Sequence, residues 1–132
     1  MLDILNMGAS GLIAQRTRMD TIANNVLNIN TTRNEKGEKV PFRRRIVEFA
    51  ANAADGKPGV HVSSIKQDMS AFQKRWDPGN PDARPDGYVL YPNVDLAVEQ
   101  VNMLEASRAY EANVTMMETG KAMFNSSLRL LA

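Results

Sequence analysis

Hydrophobic residues in the first part of the chain recur every seven positions, which is the spacing of a helix that packs along a partner helix. Two series form this a/d stripe, the first being Leu5, Leu12, Met19 and Val26 and the second Gly8, Gln15, Ile22 and Ile29. The period favours a left-handed supercoil. We therefore predict one helix over residues 2–30; an ordinary amphipathic helix on a compact core is the alternative.

The same period returns in the last part of the chain. The main series is Leu96, Met103, Tyr110, Met117, Phe124 and Leu131, and the residues four positions after its later members are Ser107, Val114, Lys121 and Leu128. This pattern predicts a second long helix within residues 93–132, with Asn93 or Asp95 as its N-cap. At a rise of 1.5 Å per residue, this helix would be about 55 Å long.

The middle of the chain, residues 31–92, has no helical period. Apolar residues indicate strands within residues 43–51, 60–68 and 88–91, and a turn is predicted at residues 52–59. The prolines and glycines of the stretch WDPGNPDARPDGY exclude a continuous helix there. We therefore predict a small β-rich insertion.

These elements predict an α+β fold in which long N- and C-terminal helices pair as a coiled coil around the small insertion. We expect residues 1–30 and 93–132 to form one structural unit, with residues 31–92 as the insertion between them. The insertion has few apolar residues and two helices share only one seam, so the chain alone buries a small part of its surface. Association with other copies or with partner proteins is therefore expected.

Composition narrows the possible functions. The chain has 132 residues, 43% of them hydrophobic and 23% charged, with a formal net charge of +1. This balance gives no global attraction to nucleic acid or to an anionic membrane. The absence of cysteine excludes disulfides, thiolate metal ligands and a cysteine nucleophile. No apolar run reaches the length of a membrane span, about 18 residues, and the spaced apolar residues after Asp3 are not typical of a cleavable signal peptide.

No group of side chains has a recognisable catalytic or cofactor-binding pattern, so we predict no catalytic residue, no metal site and no cofactor. For the single histidine, His61, a structural or surface role is favoured over a small hydrolase site. Asp77, Asp82 and Asp86 do not have the spacing of a calcium-binding loop, and turn formation explains them better. The basic run at residues 43–45 is interpreted as a solvated or partner-facing patch rather than a phosphate site.

The stretch TIANNVLNINTT, residues 21–32, has four asparagines at the end of the first predicted helix, although asparagine is a poor helix former. Asn28 and Asn30 are predicted to end the helix, because asparagine tolerates the left-handed conformation of a C-cap. Asparagine amides both donate and accept hydrogen bonds, so we also expect them to bond to the backbone of adjacent subunits.

Five longer stretches, in order along the chain, resemble the bacterial flagellar rod and hook axial proteins. They are SGLIAQRTRMDTIANNVLNINTT, PFRRRIVEF, GVHVSSI, WDPGNPDARPDGYVLYPNV and ASRAYEANVTMMETGKAMFNSSL. The resemblance covers nearly the whole chain. The length of the chain is similar to that of the short proximal rod members, whereas distal rod and hook members have much larger middle regions. FlgB, a rod protein of similar size, normally lacks the passage GYVLYPNV at residues 87–94.

The family also has an N-terminal motif, approximately A-x-N-x-A-N-x-x-T. Here Ala23, Asn25, Asn28 and Thr31 match the motif, and Leu27 stands where alanine is usual.

The resemblance implies an axial structural subunit of the flagellar basal body, without enzymatic activity. Family members are exported by the flagellar type III apparatus without a cleaved signal, assemble helically in the rod and transmit motor torque across the periplasm. The implied partners are further copies of the chain, the rod proteins FlgB, FlgF and FlgG, FliE and the export apparatus. Neither nucleic acid nor direct membrane insertion is implied. A FlgB-like rod protein and a coiled-coil adaptor that forms no filament are the alternatives.

The heptads and the family motifs together give a set of predicted assembly-interface residues. These are Leu5, Leu12, Met19, Ile22, Asn25, Val26, Asn28, Thr31, Leu96, Met103, Ser107, Tyr110, Asn113, Val114, Met117, Phe124 and Leu128.

Overall fold

The computed structural model describes residues 2–52 and 56–132, and in it two long helices enclose four short strands in the sequence. Helix α1 is Leu2–Leu27 and helix α2 is Leu96–Leu131; the strands are β1 (Arg45–Ala51), β2 (Val60–Gln67), β3 (Gln73–Trp76) and β4 (Tyr88–Tyr91). The strands form two antiparallel pairs, β1–β2 and β3–β4. The predicted α+β fold class, with its terminal helices and small β region, is confirmed.

The two helices pack against one another in antiparallel orientation. Gly8, near the start of α1, lies opposite Met117 of α2, whereas Arg18, two thirds of the way along α1, forms an ion pair with Glu105. Helix α2 begins at the predicted cap, because the Asp95 side chain accepts hydrogen bonds from the first amides of the helix.

Three glycines allow the helices to approach closely. A Cβ atom at Gly8 would overlap Met117 Cγ, and one at Gly11 would lie 2.7 Å from the Asn113 amide nitrogen. At Gly120 the corresponding distance to Ile4 Cγ2 is 3.3 Å. Each glycine costs about 1 kcal/mol of helix propensity relative to alanine, so these helices depend on their mutual packing.

The buried face of α2 differs from the predicted one. Its buried residues, Glu99, Ala106 and Gly120, come three positions after members of the main heptad series, not four. Three-residue spacing gives the a/d alternation that α1 also has. The four-residue series lies at the border of the seam, where the Ser107 hydroxyl contacts Met19 of α1. Lys121 and Leu128 are exposed, because they belong to the part of α2 that extends beyond α1.

We predict that Gly8→Leu destabilises the fold. The added side chain must displace Met117, and overfilling a packed interface costs about 1–3 kcal/mol. The control is Asn6→Leu, since Asn6 is an exposed residue of the same helix. Urea unfolding followed by helical circular dichroism should show a lower midpoint for the glycine variant only; equal midpoints would contradict the close approach.

The β1–β2 hairpin lies against α1. Its register pairs Arg45 with Gln67 and Ala51 with Val60, with a bulge between Glu48 and Phe49. The Ser10 hydroxyl of α1 accepts a hydrogen bond from the Val60 amide at 3.2 Å. The predicted turn at residues 52–59 includes residues 53–55, which lie outside the described residues.

Asn25 fixes the start of β1 on α1. Its side chain, 1% exposed, donates from Nδ2 to the Arg45 carbonyl at 2.9 Å and accepts from the Arg45 amide at 3.0 Å. An amide is the side-chain group that offers a donor and an acceptor together at such a site. The burial of Asn25 at the end of a helix is thereby explained within a single chain.

The helix end does not use the predicted left-handed cap. Among the described residues, no residue other than glycine has a positive φ, so this prediction for Asn28 and Asn30 was wrong. Instead Asn28 donates from Nδ2 to the Asn24 carbonyl at 2.8 Å and accepts from the Thr31 hydroxyl at 3.1 Å. These two bonds end α1 without requiring the strained conformation.

We predict that Asn25→Asp weakens the attachment of β1. An ionised aspartate cannot donate to the Arg45 carbonyl, and a buried group left without its partner costs about 1–3 kcal/mol. Asn24→Asp is the matched control, because the Asn24 side chain is exposed. Amide hydrogen exchange should show faster exchange along β1 in the Asn25 variant and not in the control. Unchanged protection would show that the pair of bonds is dispensable.

The β3–β4 pair was only half predicted, because β3 has the sequence QKRW and all four of its residues are exposed. It is held by an edge-to-face contact of Trp76 with Tyr88, whose ring centroids are 5.1 Å apart. Gly87, with φ of +84°, precedes β4 and lies beneath the Trp76 ring. Val89 and Val94 form the small apolar core on this side.

Candidate assembly surface

A buried ion pair joins the middle region to α2. Arg44, just before β1, donates from Nε to a carboxylate oxygen of Glu99, whose side chain is fully buried. The second Glu99 oxygen has no hydrogen-bond partner among the described residues, so the carboxylate depends on Arg44. Within the described residues β1 and β2 contact α1, and no strand contacts α2. The Arg44–Glu99 pair is therefore a main link between this part of the chain and the second helix.

Two further residues complete the polar network around Arg44. Arg44 Nη1 donates to Asp68 at 3.3 Å, and the Arg44 amide donates to the Asn93 side chain at 2.8 Å. Asn93 in turn donates to the Asp68 carbonyl at 2.9 Å and to the Ser70 hydroxyl at 3.0 Å. Asn93, predicted as a possible helix cap, instead joins the end of β2 to the residues before α2.

The network shifts the ionisation of Arg44 and Asp68 toward their charged forms. Burial alone would lower the pKa of Arg44, but the hydrogen bonds and charges of Glu99 and Asp68 outweigh it and raise that pKa above its ordinary value. The Ser70 amide and hydroxyl, together with Arg44, hold the pKa of Asp68 below its usual range against the opposing effect of burial. Arg44 and Asp68 therefore both stay charged at neutral pH.

The basic run is not a uniform solvated patch, so that part of the prediction was wrong for Arg44. Arg43 lies over the Phe72 ring at 4.2 Å and donates to the carbonyls of Asp68 and Ser70. Arg45 lies over the Phe42 ring at 5.6 Å. The three arginines thus alternate, with the central one directed inward and its neighbours at the surface.

Two of the three loop acids, Asp77 and Asp86, form turns as predicted, whereas the Asp82 carboxylate joins the loop to the residues after α1. Asp77 accepts from the Asn80 side chain, and Asp86 accepts from the Tyr88 amide at 3.1 Å. Asp82 accepts from the Thr32 hydroxyl and pairs with Arg33, and these contacts lower its pKa.

His61 is exposed on β2, and its ring nitrogen Nδ1 contacts the Asn52 side chain. This position fits the predicted surface role.

The predicted interface residues fall into three groups by exposure. Ile22 and Asn25 are buried within the chain. Leu96, Phe124 and Leu128 are exposed. The half-buried remainder borders the seam between the helices or the end of α1: Leu5, Leu12, Met19, Val26, Asn28, Thr31, Met103, Ser107, Tyr110, Asn113, Val114 and Met117. Their contact with another subunit stays a prediction.

A second apolar stripe on α2 was not predicted. Val98, Val101 and Leu104 are each about half exposed and are spaced three residues apart, so they share one face of the helix. That face is turned away from α1, since Glu99 and Ala106 occupy the buried side. Val98, Val101 and Leu104 belong to neither seven-residue series of this helix, so the period does not indicate them.

The C-terminal end of α2 extends beyond α1. Gly120 lies beside Ile4, which is in the first turn of α1. The following part of α2 therefore has almost no α1 beside it, and every residue from 121 to 131 is exposed. This segment includes large apolar side chains, namely Met123, Phe124, Leu128, Leu130 and Leu131. At the opposite end of the helix pair, Leu27 is 80% exposed and lines an apolar groove of about 380 Å³ with Leu96 and Met103. The helix pair thus has unfilled apolar surface at both ends.

Comparison with known sequences assigns the chain to a family. The family described as "Flagella basal body rod protein" matches residues 5–33, and the family described as "Flagellar basal body rod FlgEFG protein C-terminal" matches residues 86–130. The flagellar basal-body rod protein FlgC of Bacillus subtilis is 39% identical, over 96% of this chain and 95% of the relative. The chain belongs to the FlgC family.

Other FlgC proteins match over a similar length. The FlgC protein of Borreliella burgdorferi is 38% identical over 96% of this chain and 95% of its own. The FlgC protein of Salmonella typhimurium is 36% identical over 98% of this chain and 97% of its own. Membership of the FlgC family makes the chain a structural subunit of the flagellar basal-body rod and not an enzyme. The alternative of a FlgB-like rod protein is therefore not favoured. Within the described residues, no helix combines the length and hydrophobicity that crossing a bilayer requires.

We predict that Glu99→Gln destabilises the chain by about 1.5–3 kcal/mol, the range for a hydrogen bond to a charged group. The matched control is Glu105→Gln on the same helix, where the ion pair with Arg18 is largely exposed and should contribute about 0–1 kcal/mol. Chemical unfolding of both variants measures the difference. Equal losses would show that the buried pair does not link the middle region to α2.

Proposed function

We propose that this FlgC-family chain assembles helically with further copies of itself and with the rod proteins FlgB, FlgF and FlgG, and with FliE at one end. In this proposal the rod crosses the periplasm and transmits motor torque. The observation that carries the proposal is the apolar surface left uncovered on the helices, above all the stripe of Val98, Val101 and Leu104. An apolar helix face of this kind requires another helix to cover it.

The division of the chain supports the same proposal. Residues 1–30 and 93–132 form the helical unit that packs between subunits, and residues 31–92 lie on its outer side. Since β1 and β2 contact α1 and the Arg44–Glu99 pair holds α2, the outer region is attached to both helices. A force applied to the outer region would therefore reach the helical unit through packed and hydrogen-bonded contacts.

Passage through the type III export apparatus is consistent with the low burial of the isolated chain. Only five hydrophobic residues are buried in the described part of the chain: Ala14, Ile22, Val89, Val94 and Ala106. A chain that buries so little apolar surface has marginal stability before assembly. We infer that it is exported without a cleaved signal and becomes stable when its helices pack against neighbouring subunits.

We predict that Val101→Glu prevents rod assembly without unfolding the free chain. Val101 is 58% exposed, so a glutamate is solvated in the monomer, whereas burial of an unpaired charge between helices is strongly unfavourable. Met69→Glu is the matched control, because Met69 is 77% exposed and belongs to the middle region.

Each variant should be expressed in a strain that lacks the native protein, and both motility and the protein content of isolated basal bodies should be measured. We expect loss of both with Val101→Glu and retention of both with Met69→Glu, while circular dichroism of the free chains is unchanged. Normal basal bodies containing the Val101 variant would overturn the proposed role of this face.

A further inference from the structure

We propose that a groove beside the end of α1 binds an extended acidic segment of a protein partner, one with carboxylates at alternate positions. The groove has a volume of about 540 Å³ and lies between the end of α1 and the residues that enter β1. The lining residues that matter here are Asn24, Phe42, Arg43, Arg45, Gln67 and Phe72. This inference goes beyond the packing of helices, because it concerns the outer region of the chain.

Charge is the first argument. Arg44 is neutralised by Glu99 and Asp68, but among the described residues Arg43 and Arg45 form no ion pair. Both line the groove. A further arginine in the lining, Arg33, is already paired with Asp82. Glu35 also lines the groove, but among the described residues it forms an ion pair with neither arginine. The groove therefore presents two guanidinium groups without a carboxylate partner.

Preorganisation is the second argument. The Arg43 guanidinium lies 4.2 Å from the Phe72 ring centroid, and its Nη1 is held by the Asp68 and Ser70 carbonyls at 3.0 and 3.1 Å. The backbone of Arg45 is fixed at both its amide and its carbonyl by the buried Asn25 side chain. Groups already held in position lose less entropy when they bind a ligand.

Spacing identifies the ligand. Residues two apart in an extended chain lie on one face and are separated by about 6.6 Å. Arg43 and Arg45 are two apart where the chain enters β1, and the Arg44 carbonyl between them accepts from the Asp68 amide at 2.7 Å, which continues the strand pairing. Their positions therefore match carboxylates at positions i and i+2 of an extended partner segment. Guanidinium groups bind carboxylates through paired hydrogen bonds. The exposed amides of Asn24 and Gln67 are available to the backbone of that segment.

The same spacing argues against a single phosphate as the ligand. A phosphate site needs donors that converge on one point. Here the two cations come from positions two apart in the chain and stack on different rings, Phe72 and Phe42. An extended acidic segment engages both of them together.

The test uses two fluorescein-labelled heptapeptides of the same composition, five threonines and two glutamates. In one peptide a threonine separates the glutamates, and in the other the glutamates are adjacent and point to opposite faces when extended. Fluorescence anisotropy with the full chain at low ionic strength should show about tenfold tighter binding of the first peptide, a difference of about 1.4 kcal/mol.

Three variants sharpen the result. Arg45→Gln should reduce affinity for the alternating peptide about tenfold, and Arg45→Lys should recover only part of it, because lysine retains the charge without the planar fork. Arg75→Gln is the matched control, since Arg75 lies 4.3 Å over the Tyr91 ring and outside the groove. It should bind as the unmodified chain does. The Arg45 substitutions keep the backbone bonds to Asn25, so folding is preserved.

Equal affinity for the two peptides would overturn the proposal, and so would binding that Arg45→Gln leaves unchanged. Displacement of the peptide by inorganic phosphate at equal concentration would also overturn it, by showing an unselective anion site. All measurements use the free chain, so their failure would leave the proposed assembly of the rod untouched.

Discussion

The attachment of the middle region to the helices depends on the buried charge of Glu99. A carboxylate removed from water is strongly unfavourable unless a cation and hydrogen bonds compensate it. Arg44 provides that compensation from the start of the β region, and Asp68 and Asn93 hold Arg44 and its backbone in place. The position of one side chain on α2 therefore constrains where β1 begins, how the end of β2 is fixed and where the chain enters α2.

The parts of the fold that follow a local period could be predicted from the sequence. Both helices, the β1 and β2 strands and the Asp95 cap agree with the pattern of hydrophobic and capping residues. Strand β3 could not be found in this way, because QKRW has no apolar alternation and its pairing is set by the Trp76–Tyr88 contact. The buried positions of α2 come three residues after members of the main heptad series, whereas the sequence pattern placed them four residues after. The difference arises because Glu99 and Gly120 are buried without being hydrophobic.

The candidate assembly surface was predicted only where it coincides with the heptads. Arg44 and Glu99 are 55 positions apart in the sequence, and nothing in a local pattern pairs one arginine of a triplet with one glutamate of a long helix. The stripe at Val98, Val101 and Leu104 has helical spacing and could have been found by a search for a second apolar face. The stripe was not predicted, because the helix was expected to have a single apolar face.

The two bonds between Asn25 and Arg45 have a consequence for the free chain as well. They are the bonds that an added strand would form with the outer edge of β1, and a side chain of the same molecule already occupies this position. An open strand edge is a template for uncontrolled pairing between chains. Asn25 thus blocks edge-to-edge pairing at the position where β1 begins.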